Sequence, residues 1–331
     1  MTYDFLFVGA GLTAATICAT IKRSKYKILV VDCRPYIGGN CADSKIGDNY
    51  IQYHGPHNWH CSSQNIIKFL SEHTKWIDFK YTVTAEIDGG KRVPFPYSQE
   101  TESIIGKLSE DEILSLFFRG YSEKMWGMTF EKIPKSIKAR VPQNSREKSD
   151  YFPGQIQAHP KFGYTKMMES MFDGVDIMLN VDPDFWKSVS ARKIFYSGRP
   201  DLLVQKQLDF RTIDIEWRNE EWDATTTSVN FCSINVPYTR KSNYGTYYGN
   251  PSRIISYETP RQASSDELTP YYPIPSQENL EKFQTIKKEI ATKYQNLELV
   301  GRLGKMTYIN MDQAIGMGLN ISKKISSKEN I

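Results

Sequence analysis

A short apolar run, Tyr3-Asp4-Phe5-Leu6-Phe7-Val8, leads directly into Gly9-Ala10-Gly11-Leu12-Thr13-Ala14 and then into a stretch from Ala15 to Lys22 that predicts a helix. This strand, glycine turn and helix constrain the chain more than any other feature. The glycines allow a tight turn and close backbone approach to a pyrophosphate, whose charge then meets the unpaired N–H groups and positive dipole end of the helix. A second apolar strand, Lys27 to Val31, ends at Asp32, twenty-one positions after Gly11, where a carboxylate can accept from a ribose hydroxyl. Order and spacing together predict dinucleotide binding. Cys33-Arg34-Pro35-Tyr36-Ile37-Gly38-Gly39-Asn40 then adds a basic residue and a glycine pair, a second point of close approach to a large cofactor.

Composition narrows the remaining classes. At 331 residues the chain can bury two or three domains, and its net charge of +4 is spread without a basic block. Neither nucleic acid nor a membrane surface is therefore an expected partner. The five cysteines are odd in number and form no CxxC or metal-type spacing, which points to a reduced cytoplasm. Phe5 to Ile21 carries the glycine motif and has no leading basic region, unlike a signal peptide.

Three of the five histidines fall between His54 and His60, around Gly55-Pro56. No acid-rich set stands nearby, so no metal is expected. Histidines beside a planar cofactor can donate to ring heteroatoms and carry protons near neutral pH, while turn capping is the plainer alternative.

The ordered set of Gly-x-Gly-x-x-Ala, Asp-x-Arg-x-x-Ile-Gly-Gly-Asn and Gly-Pro-His-x-Trp-His resembles UDP-galactopyranose mutase, a flavoenzyme family that interconverts pyranose and furanose forms of a sugar nucleotide. The resemblance covers most of the chain. It implies an α/β fold: an FAD-binding Rossmann-like domain, a small helical domain and an antiparallel sheet domain on the substrate side. The expected bounds are 1–60, 166–205 and 290–331 for the cofactor domain, 98–150 for a shortened helical domain, and 61–97 with 206–289 for the sheet. A mobile loop is expected at 151–165, ending in Gly163-Tyr164-Thr165.

The cofactor residues it implies are Gly9, Gly11, Leu12, Thr13, Asp32, Cys33, Arg34, Gly38, Gly39, Asn40, His57, Arg240, Asn310, Met311 and Asp312. Substrate residues are Phe117, Tyr121, Trp126, Gln155, Tyr164, Tyr272, Arg302 and Tyr308, with His57, His60 and Arg302 in catalysis. Phe117 and Tyr121, spaced i and i+4, share a helix face that can hold a pyrimidine, although an aromatic core stripe gives the same pattern. Tyrosine hydroxyls can satisfy phosphate oxygens without added charge. Two positions depart from the family: Gln155 stands where a loop arginine grips the diphosphate, with Lys161 or Arg146 as compensating cations, and Asn310 stands where an aspartate is usual.

The implied chemistry uses reduced FAD as a nucleophile, through a covalent N5 sugar adduct, on a pyrimidine nucleotide sugar of the UDP-galactose or dTDP type. It also implies NAD(P)H or another reductant, and a homodimer. Two other readings fit the same residues. One is a flavin oxidoreductase acting on an amine or alcohol. The other is a mutase-derived nucleotide-sugar binding protein without turnover, which Gln155, Asn310 and the short helical segment would suit.

Overall fold

The computed structural model describes residues 2–21, 25–138 and 147–328. Its first sheet has five parallel strands in the order β10-β2-β1-β11-β17. These are β1 (Tyr3–Val8), β2 (Ile28–Val31), β10 (Asp176–Met178), β11 (Ala191–Tyr196) and β17 (Leu297–Leu299). β2 is buried along its whole length, which is why it reads as an unbroken apolar run rather than an alternating one. One face is covered by α1 (Leu12–Thr20), α7 (Gly163–Met171) and α10 (Met311–Lys328) around Phe7, Ile17, Met168 and Ile315. The other face is covered by α8 (Gln277–Lys293), which sets Phe283, Ile286 and Ile290 against Leu6, Leu29 and Leu299. α1 is buried from Leu12 to Cys18, as expected of a helix apolar on all sides. Lys22, the expected end of this helix, lies outside the described residues.

A second sheet of seven strands runs β16-β12-β15-β14-β13-β7-β8. It comprises β7 (Val83–Glu86), β8 (Arg92–Phe95), β12 (Phe210–Asn219), β13 (Ser228–Phe231), β14 (Arg240–Ser242), β15 (Ile254–Gln262) and β16 (Tyr272–Pro273). Its neighbours are antiparallel except β13 and β7, which run parallel. The register sets Arg240 of β14 directly opposite Glu258 of β15.

Two smaller sheets complete the scaffold. β3 (Asp43–Ile46) and β4 (Asn49–Gln52) form a hairpin, while β5 (Trp59–Cys61), β9 (Ile156–Pro160) and β6 (Trp76–Asp78) form a three-stranded sheet. The helical segment holds α3 (Gln99–Ile105), α4 (Glu110–Ile113), a π-helical turn at Leu114–Arg119, α5 (Gly120–Trp126) and α6 (Lys135–Lys138), and α2 (Gln64–Ser71) precedes it. Ser109 with Glu112 and Ser98 with Thr101 each form a capping box. A four-residue helix, α9 (Gly301–Gly304), follows β17.

Several expected boundaries are corrected. The stretch 151–165 is not one loop, because residues 156–160 pair on both sides in the small sheet and Gly163 opens α7. Within the expected sheet segment 61–97, β6 belongs to the three-stranded sheet and only β7 and β8 to the seven-stranded one. Residues 277–289 pack with the parallel sheet rather than with the substrate-side sheet.

Candidate active site

Strand ends build the first cavity, of about 630 Å³. Its walls come from the carboxyl ends of β1, β2 and β11, the α1 and α10 starts, and the Gly38-Gly39-Asn40 tail. β1 and β11 are neighbours from which the chain winds in opposite directions, the usual place for a ligand in an open parallel sheet. Gly9 sits there at φ +111°, and a Cβ on it would stand 2.0 Å from Ser197 Oγ, so only glycine lets the two strand ends close. Gly38, at φ +121°, folds the tail back so that its N–H donates to the Ala10 carbonyl at 2.9 Å.

Asp32 organises this turn. Its Oδ2 accepts from the Ala10 N–H and its Oδ1 from the Arg34 N–H, both at 2.8 Å. Each oxygen keeps further acceptor capacity, and the residue lines the cavity. Arg34 Nη2 donates to Asn40 Oδ1 at 2.8 Å, which fastens the tail to the strand end. Thr13 Oγ1 donates to the Ala314 carbonyl at 3.2 Å and joins α1 to α10. Leu12, Cys33 and Gly39 also line this cavity.

The second cavity, about 650 Å³, lies among Phe117, Tyr121, Trp126, Gln155, Tyr272 and Tyr308. Trp126 meets Tyr308 edge-on at 5.5 Å, and the Arg302 guanidinium lies 5.2 Å from the Tyr272 ring centre and 5.6 Å from that of Tyr308. Phe117 both lines the cavity and belongs to the core, being 1% exposed and stacked on Phe95 at 5.7 Å. Four residues line both cavities: His57, Arg302, Asn310 and Met311. The two spaces therefore meet at one wall.

His57 is held on three sides at that wall. Its N–H donates to Gln52 Oε1, its carbonyl accepts from the Tyr164 hydroxyl, and its Nδ1 lies 2.9 Å from the Gly55 carbonyl. A carbonyl only accepts, so Nδ1 carries the proton and Nε2 keeps a lone pair. Burial, reinforced by the Arg302 charge, lowers its pKa to about 4 against the opposing bond to Gly55. His57 is thus a neutral acceptor at pH 7. Arg302 is fixed by donating to the Ile309 carbonyl through Nε at 3.1 Å and Nη2 at 2.6 Å.

Four expected placements change. Tyr164, expected at the diphosphate, is fully buried and lines neither cavity; its hydroxyl supports the His57 backbone instead. Arg240, expected at the cofactor, lines only the second cavity, because the cross-strand register pairs it with buried Glu258 through two 2.8 Å bonds. His60 likewise lines only the second cavity, stacked on Phe152 at 3.7 Å with its Nδ1 2.7 Å from Gln155 Oε1. Asp312 lines neither cavity; its Oδ1 is buried without a hydrogen-bond partner among the described residues, in the first turn of α10 where the helix dipole favours a carboxylate.

Lys161 also lines neither cavity, and Arg146 lies outside the described residues. Sequence reasoning missed Tyr151, Phe152, Asn230 and Lys138, all of which line the second cavity. The Tyr151-Phe152 pair was a usable signal, since adjacent aromatics in a polar stretch need a partner. Nothing in the local sequence singles out Lys138.

Comparison with known proteins decides the family. A family model described as UDP-galactopyranose mutase matches residues 116–308, more than half of the chain. The chain belongs to the UDP-galactopyranose mutase family. A model for an NAD(P)-binding Rossmann-like domain matches residues 8–73. A probable UDP-galactopyranose mutase of Klebsiella pneumoniae is 27% identical across 98% of this chain and 95% of its own length. The dTDP-fucopyranose mutase of Escherichia coli is 24% identical across 94% and 95%. The crystal structure of a reduced UDP-galactopyranose mutase superposes with a TM-score of 0.74 at 13% identity, covering 98% of this chain and 96% of that one, a likeness of fold.

The first cavity fits the family's FAD. The α1 N-terminus has no side-chain cap, and the position a Gly11 Cβ would take is open space. A pyrophosphate can therefore reach the N–H groups that a side chain would otherwise cover. Gly9 to Thr13, Asp32 to Arg34 and Gly38 to Asn40 would hold the group.

Proposed function

We propose that this chain isomerises a pyrimidine nucleotide sugar of the UDP-galactose or dTDP-sugar type between its pyranose and furanose forms, with reduced FAD in the first cavity. Reduced FAD, when bound, supplies the nucleophile for the anomeric carbon as the nucleoside diphosphate leaves. One observation carries the reading: the dinucleotide groove opens, at His57, Arg302, Asn310 and Met311, onto a second cavity walled by aromatics and tyrosine hydroxyls.

The chain's own residues then divide the work. Phe117, Tyr121 and Trp126 provide flat apolar surface for a base. Arg302, Tyr272 and Tyr308 stabilise the departing diphosphate and keep it for return. His57 presents Nε2 as an acceptor at the junction. Arg240 lines the second cavity and is held there by a prearranged ion pair with Glu258, which is buried and does not line the cavity. NAD(P)H or another reductant supplies the reducing equivalents, the working compartment is the cytoplasm, and the assembly is a homodimer.

The test is turnover. FAD-loaded protein, reduced with dithionite, is incubated with a panel of UDP- and dTDP-hexoses, and the sugar ring form is followed by NMR. Furanose product from the reduced protein and none from the oxidised protein is the expected result. Nucleotide binding without product would leave a binding protein, and flavin reduction by an amine or alcohol would leave an oxidoreductase.

A further inference from the structure

We propose that Lys138 is a phosphate-binding cation of the second cavity, acting with Arg302 on the diphosphate; the inference rests on the reading of that cavity as a nucleotide-sugar site. Among the described residues, no carboxylate lines the cavity, and its Lys and Arg side chains are Lys138, Arg240 and Arg302. A dianionic group entering such a space seeks a cation not already neutralised. Arg240 is already committed, since both bonds of its guanidinium fork go to the Glu258 carboxylate.

Lys138 is differently placed. Its ammonium stands 4.5 Å from the Phe130 ring centre and 3.4 Å from the Glu131 carbonyl, both neutral groups, and no carboxylate among the described residues forms an ion pair with it. The acid that feels its charge, Glu131, has its carboxylate fastened to Arg119 at 2.5 Å. The wall beside Lys138 is apolar, made of Phe130, Ile133 and Ile137, so the ammonium is the polar group at that part of the cavity. An ammonium over an aromatic face keeps its charge and gains a stronger partner when a phosphate arrives.

The other candidates for this role fall away. Gln155 reaches the cavity but is neutral and bonded to His60, and Lys161 lines neither cavity. The loss of an arginine inferred at position 155 is thus offset by a cation delivered from α6. A lysine there also gives weaker geometric selection than a guanidinium fork, because it meets phosphate as a point charge.

The experiment compares FAD-loaded wild type with Lys138→Gln and Lys138→Arg, titrated calorimetrically with UDP, dTDP and uridine over a range of salt. The expected result is a roughly ten-fold weaker diphosphate Kd in Lys138→Gln, with uridine unchanged. Lys138→Arg should stay near wild type, and the salt dependence for the diphosphate should be shallower in Lys138→Gln. Unchanged diphosphate affinity in Lys138→Gln overturns the proposal, and so does an equal loss for uridine, which would make Lys138 a wall residue only. A wild type that binds neither diphosphate overturns the nucleotide-sugar reading as well, so the two failures are distinguishable.

Discussion

His57 shows how one residue's environment decides its chemistry. With Nδ1 on the Gly55 carbonyl and a pKa lowered to about 4, it is not a proton shuttle near neutrality. The pH profile of kcat/KM should therefore show no His57 inflection near 6.5. An inflection at 6–7 that disappears in His57→Asn would contradict this. Arg240 carries a second prediction at this scale. Arg240→Met strands the Glu258 carboxylate, which is 1% exposed, and should cost roughly 3–5 kcal/mol of stability by denaturant titration. Adding Glu258→Gln should recover much of the loss, since the charge left behind is then gone. The sequence placed Arg240 near a site but on the wrong side of it, because its partner is set by cross-strand register and lies eighteen residues away.

At the scale of elements, α5 is where the substrate-side aromatics are fixed. Its Lys124 ammonium donates to the carbonyls of Phe231, Ser233, Val236 and Tyr238 at 2.7–2.9 Å, gathering the loop that leads into Arg240. One turn earlier on the same face, Gly120 lies so close that an added Cβ would stand 2.5 Å from the Cys232 carbonyl. Gly120→Ala should therefore force helix and loop apart and destabilise by roughly 1–3 kcal/mol, with a rise in the KM for the nucleotide sugar. A stable variant with unchanged KM would mean that this seam does not position Tyr121 and Trp126. Elements with local signals were legible: the strand, glycine turn and helix at the start of the chain announce themselves within a few residues. β9 was not. Pro153-Gly154 and Pro160 give its surroundings the look of a loop, and its partners at Trp59 and Trp76 are some eighty to a hundred residues away in sequence.

For the whole molecule, burial of ionisable groups sets the response to acid. His54, His57 and His159 are held neutral by burial, with pKa values lowered to about 3, 4 and 3, while burial raises Asp43 to about 6. Between pH 6 and 4 the unfolded chain protonates the three histidines and the folded chain does not, so folding stability falls as pH falls. Asp43 works against this with one proton, since its folded form holds a proton that the unfolded form has released. The balance is about two protons, so stability should fall by roughly 2–3 kcal/mol per pH unit in that window, as read from denaturant midpoints. A flat stability between pH 6 and 4 would contradict the buried neutral histidines. The two-cavity plan was partly legible, because each motif names its own chemistry. Their meeting was not, since His57, Arg302 and Met311 are brought to one wall only by the sheet order and the return of α10.

The wall shared by the two cavities can be read out by the flavin itself. FAD-loaded protein is titrated with UDP or dTDP while the flavin absorbance is recorded and binding is measured by calorimetry in parallel. The expected result is a saturable change in the flavin spectrum with the same Kd as the calorimetric binding, lost together with tight binding in Arg302→Ala. Tight nucleotide binding that leaves the flavin spectrum untouched would place the nucleotide away from the junction and contradict the account.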